Sequence, residues 1–159
     1  MMKKNAVDTL LGEYQNVITA LQRVVSDVSY ENLTAVVDPG TTNRDCKSIQ
    51  TIVSHVVSSG YSYAGYIRKF KKIEDNRPGK MLRLSVAEYH NDLNNLMAYT
   101  CATFESIYDY ELEEFDADKK IKTTWEQVYD IEQMMEHAIV HVLRHRRQIE
   151  KFKKSLEVL

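Results

Sequence analysis

The first thirty residues already restrict the fold. Val7, Leu10, Leu11, Tyr14, Val17, Ile18, Leu21, Val24, Val25 and Val28 recur at three- and four-residue steps without a break. At 3.6 residues per turn this spacing draws one apolar stripe along a helix, predicted over about residues 5–28, that must be buried against partner elements. Three further segments repeat the pattern. A second helix, from about 45–48 to 72, turns Ile49, Ile52, Val53, Val56, Tyr63, Ile67 and Phe70 inward; Asp45 and Ser48 are its candidate N-caps. A third opens with the capping box Ser85-Val86-Ala87-Glu88 and runs to about 109, with Phe104 and Ile107 on its buried face. A fourth starts at Thr124-Trp125-Glu126-Gln127, which also reads as a capping box, and extends to about 156. Asp38-Pro39-Gly40 and Arg77-Pro78-Gly79 mark turns between segments. Five glycines and two prolines leave little other turn chemistry, which favours long helices. The expectation is an all-α fold, a four-helix bundle in a single domain spanning residues 1–159. The connections after the first and third helices, about fifteen residues each, leave room for crossovers.

A chain of 159 residues buries such a core without disulfides or metal. A net charge of −2 gives no global reason to expect nucleic acid or an anionic membrane as partner. The basic run Arg144–Lys154 reads as cations suited to the C-terminal end of a helix. No apolar run approaches the length of a membrane span, and the amphipathic start does not read as a signal peptide. Cys46 and Cys101 lie outside any CxxC pattern, so reduced thiols in a cytoplasm are expected, with one internal disulfide left open. The acidic run from Glu111 to Asp118 reads as a solvated loop without calcium-ligand spacing.

Chemistry concentrates in the fourth segment, where His137, His141 and His145 stand four residues apart. On a helical wheel His145 falls within the apolar stripe, His141 about 70° from its centre and His137 about 110° away. Imidazoles at i and i+4 rise about 6 Å apart and can share one metal; positions 137 and 145, about 12 Å apart, cannot easily do so. The pair is therefore 137/141 or 141/145, and burial favours the second. A lone histidine on an apolar stripe is usually a core residue with satisfied nitrogens, but two neighbouring buried imidazoles carry a desolvation cost that asks for compensation. A third ligand must come from another helix, and spacing alone does not choose between His55 and His90. No residue three before any histidine is glutamate, which excludes the paired Glu-x-x-His carboxylate site. No HExxH, GxSxG or P-loop pattern occurs. Tyr61, Tyr63 and Tyr66, with Ser58, Ser59 and Ser62, either pack a helix end or line a pocket beside His55.

The order SIQTIVSHVVSSGYSYAGYI, a long gap, then HAIVHVLRHRRQI resembles the DinB/YfiT-like superfamily of metal-binding four-helix bundles. That family carries a histidine midway along its second helix and an HxxxH near its C-terminus that ends in a His-Arg-Gly-Gln type tetrad. The matching positions are His55, His141 and His145, with Arg146 and Gln148 completing the tetrad; Arg147 stands where the family often has glycine. The resemblance implies three neutral imidazoles on a divalent ion, zinc or nickel, with open positions. It also implies a homodimer, and an enzyme in which the metal activates water or a low-molecular-weight thiol against an electrophile. It places His137 outside the ligand set and names no general base. The rival reading is a non-enzymatic, metal-stabilised binding or stress-response scaffold.

Overall fold

The computed structural model describes residues 2–157. Over the described residues the chain is mostly helical, with five α-helices, four of them long, and one two-stranded sheet. In chain order the elements are α1 (Asn5–Val25), the short α2 (Tyr30–Thr34), α3 (Ile49–Phe70), α4 (Val86–Thr103), the hairpin strands β1 (Ile121–Lys122) and β2 (Val128–Tyr129), and α5 (Ile131–Glu157). Among the long helices, α1 packs on α5 and α4, and α3 packs on α5 and α4. Their apolar stripes meet in one core, where Ile18, Leu21, Ile52, Ile67, Leu93, Leu96, Met134 and Ala138 are fully shielded from solvent. None of the described helices is long and apolar enough to cross a membrane.

The ends of these helices follow local chemistry. Ser48 caps α3, accepting from the Thr51 N–H while the Thr51 hydroxyl accepts from the Ser48 N–H, a reciprocal capping box. Ser85 caps α4, accepting from the Glu88 N–H, while the Glu88 carboxylate accepts from the Ser85 hydroxyl and the Leu84 N–H rather than from the Ser85 N–H. Asp45, the other candidate cap of α3, instead sits in a 3-10 turn at Arg44–Cys46 that Asn43 caps. At the start of α1 no side chain of the preceding residue caps the helix; Asp109, about a hundred residues later, accepts from the N–H groups of Ala6 and Val7 at 3.0 Å each. This trans cap pins the segment after α4 against the first helix.

Several expectations need correction. The fourth long helix begins at Ile131, not Thr124. Thr123 and Gln127 instead close a hairpin loop, the Thr123 N–H donating to the Gln127 carbonyl at 3.0 Å, with Glu126 at φ 67°. The capping pair that starts α5 lies six residues on: Asp130 accepts from the Gln133 N–H at 2.8 Å, and Gln133 accepts from the Asp130 N–H at 3.0 Å. α4 ends at Thr103, so Phe104 and Ile107 are buried from the loop rather than from a helix face. The acidic run is only partly solvated. Its Glu111 pairs with Lys71 and its Leu112 is buried, whereas Phe115 is 90% exposed. Phe70, expected inside, is 44% exposed at the end of α3.

Candidate metal centre

α3 and α5 pack side by side, and their contact brings His55 against His141 and His145. One nitrogen from each of the three rings lies within 4.8 Å of the others. Ring centroids stand 4.8 Å apart for His55 and His141, 4.9 Å for His55 and His145, and 4.5 Å for His141 and His145. The Nε2 atoms of His55 and His141 are 3.0 Å apart. Two nitrogens bound to one ion at about 2.0–2.1 Å are themselves about 2.9–3.4 Å apart, so this pair already has a ligand spacing.

The outer nitrogens of two rings are engaged. His55 Nδ1 lies 3.3 Å from Asp45 Oδ2 and 3.4 Å from Ser59 Oγ; His145 Nδ1 lies 3.0 Å from Gln148 Oε1. A ring that donates through Nδ1 keeps its Nε2 lone pair free, so Asp45 and Gln148 fix the tautomer a metal ligand needs. Asp45 is itself held by the Lys80 ammonium. His141 differs, because its Nδ1 is buried and has no hydrogen-bond partner among the described residues. All three rings favour the neutral form. Burial, followed by the neighbouring His145 and His55 rings, pushes the His141 pKa down to about 3. Burial also lowers those of His55 and His145, although Asp45 and, for His145, the Gln148 hydrogen bond pull the other way. Three neutral, convergent imidazoles from two helices could hold a divalent ion.

The remaining histidines lie elsewhere. His90, on α4, has its Nε2 3.0 Å from the Gln22 carbonyl on the α1 side. His137 stacks on Trp125 at 5.2 Å and places its Nδ1 3.2 Å from the Tyr129 hydroxyl, so the β1–β2 hairpin, rather than the triad, holds it.

Two clefts reach the triad, and His141 lines both. The larger, about 700 Å³, runs from His55 past Ser59, Ser62, Tyr63 and Tyr66 to Trp125, with Asp75 and Arg77 on its far wall. The tyrosine-serine cluster is thus divided. Tyr63 and Tyr66 line the cleft, whereas Tyr61 packs on Tyr99 and Ser58 faces another depression. The second cleft, about 590 Å³, is bounded by Asn43, Cys46, His145, Gln148 and the basic side chains of α5. Cys46 and Cys101 are free thiols, so the disulfide left open by the sequence is not formed.

Asp45 is the site residue that sequence reasoning misassigned. It lies ten positions before His55 in a non-periodic turn, where its only visible sign was an N-cap preference. Trp125 was assigned to a helical first turn, and only the hairpin carries it over His137. No family model matches the chain, and no curated protein or solved structure matches it either.

Proposed function

We propose that the chain is a metal-dependent enzyme built as a four-helix bundle of the DinB/YfiT-like type, with His55, His141 and His145 as ligands of a zinc or nickel ion. The observation that carries this reading is the convergence of three imidazoles from two helices, two of them with their outer nitrogens held by Asp45 and Gln148. A divalent ion bound there supplies Lewis acidity, which acidifies a water or a low-molecular-weight thiol at neutral pH. The chain's own groups do the rest. Asp45 and Gln148 orient two rings, and burial keeps His141 neutral. The wall of Tyr63, Tyr66 and Trp125 offers an apolar electrophile a cleft that ends at His55 and His141. With the same family resemblance go a homodimer, a cytoplasmic setting and a thiol S-transferase or hydrolase reaction.

The test starts with protein purified without nickel resin. Stoichiometric zinc or nickel is expected in the wild type, lost in His55→Ala, His141→Ala and His145→Ala, and kept in His90→Ala. Metal content unaffected by the triad substitutions would remove the site. Metal-loaded protein is then assayed with low-molecular-weight thiols and electrophiles. Retained metal without turnover across that screen would replace the enzyme with the metal-stabilised scaffold.

A further inference from the structure

Part of the wall of the larger cleft does not belong to the helical bundle. Thr124 and Trp125, at the tip of the β1–β2 hairpin, line it together with Tyr63 and Tyr66 of α3. The tip, residues 123–127, is closed on itself, and the Gln127 N–H donates to the Thr123 hydroxyl at 3.2 Å. Among the described residues, its hydrogen bonds to the rest of the fold pass through one atom, the phenol oxygen of Tyr66. That oxygen accepts from the Thr124 N–H at 3.1 Å and donates to the Thr124 hydroxyl at 3.1 Å. Two features oppose this closed position. Glu126 holds φ 67°, in the left-handed region that a long side chain rarely adopts. The indole Nε1–H of Trp125 is buried and has no hydrogen-bond partner among the described residues, a penalty that contact with water would remove. Ring packing works the other way: the indole stacks on His137 and meets Tyr66 at 5.6 Å and Tyr63 at 6.1 Å, edge to face. Thr124, Glu126 and Gln127 are exposed around it. A segment tied to its fold by so few bonds opens locally before the core does.

We propose that the hairpin tip is a gate on the larger cleft, with Trp125 as its moving wall and Tyr66 as its latch. On opening, Thr124 leaves the Tyr66 phenol and Trp125 leaves His137. Water then meets the indole N–H and the phenol, and Glu126 is released from its left-handed backbone. The mouth of the cleft widens for an apolar molecule to enter, and closure returns the indole to the wall and excludes water. Tyr66 follows His55 by eleven residues, a rise of about 16 Å along α3, so the latch works at a distance from the triad. The gate does not depend on the proposed metal site. Applied to that reading, it sets when the apolar partner reaches His55 and His141 at the inner end of the cleft.

Trp125 is the chain's single tryptophan, so its fluorescence reports on the tip without a label. Quenching by acrylamide, a small neutral molecule, is measured on the full chain, metal-free and with zinc, well below the melting temperature. The wild type is expected to be quenched several-fold less than free N-acetyltryptophanamide. Tyr66→Phe removes the latch and should raise the quenching constant at least about threefold, with a red-shifted emission. Thr124→Val, which loses only the hydroxyl, should move both in the same direction by less, and it serves if Tyr66→Phe does not fold. Glu126→Asn, added to either variant, should lower the quenching again, because asparagine tolerates the left-handed backbone. A merely structural tip would not answer the two changes in opposite directions. Wild-type quenching equal to that of the free amide would overturn the gate, as would quenching unmoved by loss of the latch or not reduced by Glu126→Asn. The expected responses in a protein that takes up no zinc would leave the gate standing and remove the metal reading.

Discussion

His141 is the residue on which the site turns, because it touches both other imidazoles and lines both clefts. Its ring is held neutral by burial first and by the neighbouring rings second. In the unfolded chain a histidine titrates near 6.5. With the folded pKa pushed down to about 3, the unfolded state binds the proton first as pH falls. The contribution of this ring to stability is therefore complete above about pH 6.5 and is lost progressively from there toward about 3. His55 and His145 are shifted in the same direction and steepen the fall. Metal-free protein should consequently lose stability between pH 7 and pH 5, by up to about 1 kcal/mol per pH unit from the His141 ring. Urea unfolding with chelator present measures the slope, which His141→Gln should make shallower. An identical slope in wild type and His141→Gln would mean that the ring is not shielded as described. The sequence made these three residues legible through helical spacing and family resemblance. It did not reveal their supports, since Asp45 reaches His55 from a turn with no period to read.

At the scale of the element, the close fit of α3 to its neighbours depends on glycine. A Cβ at Gly60 would stand 2.5 Å from the Leu96 side chain of α4 and 2.8 Å from the buried Tyr14 hydroxyl of α1. A Cβ at Gly65 would also meet atoms at 2.5 and 2.7 Å, but these are the far ends of the Arg77 and Asp75 side chains, which can swing away. Gly60→Ala should destabilise the protein by about 1–3 kcal/mol, because packed core atoms cannot yield cheaply. Gly65→Ala should be neutral or stabilising by less than about 1 kcal/mol, since alanine is the better helix former. Urea unfolding of the two variants separates them, and equal losses would contradict the packing. The boundaries of α5 show why such elements are only partly readable. Thr124-Trp125-Glu126-Gln127 and Asp130-Ile131-Glu132-Gln133 both carry a capping-box pattern, and the second is used. The pairing of Ile121 with Tyr129 and Lys122 with Val128 draws the first into a hairpin, a strand pairing that a helix-capping pattern does not encode.

Across the whole molecule, the apolar stripes made the four long helices legible, but not the sites where loops replace helix. Phe104 and Ile107 fit the periodic pattern yet are buried after α4 has ended, because the Asp109 cap on α1 draws that segment across the core. The same architecture makes the triad a cross-link. His55 belongs to α3 and His141 and His145 to α5, two long helices joined only through the intervening chain and their shared core. An ion that bound all three rings would bind the folded state and not the separated helices, so its free energy would add to global stability. With free zinc at about a hundred times its dissociation constant, the gain is about 2.7 kcal/mol. The melting temperature should rise with zinc concentration, return to its starting value when chelator is added, and stop responding in His55→Ala or His145→Ala. His90→Ala should respond as the wild type does, because its ring meets Gln22 on α1 and not the triad. A zinc response that survives loss of His55 would mean that the ion is held by α5 alone, and the cross-link between the two helices would then have no part in the protein's stability.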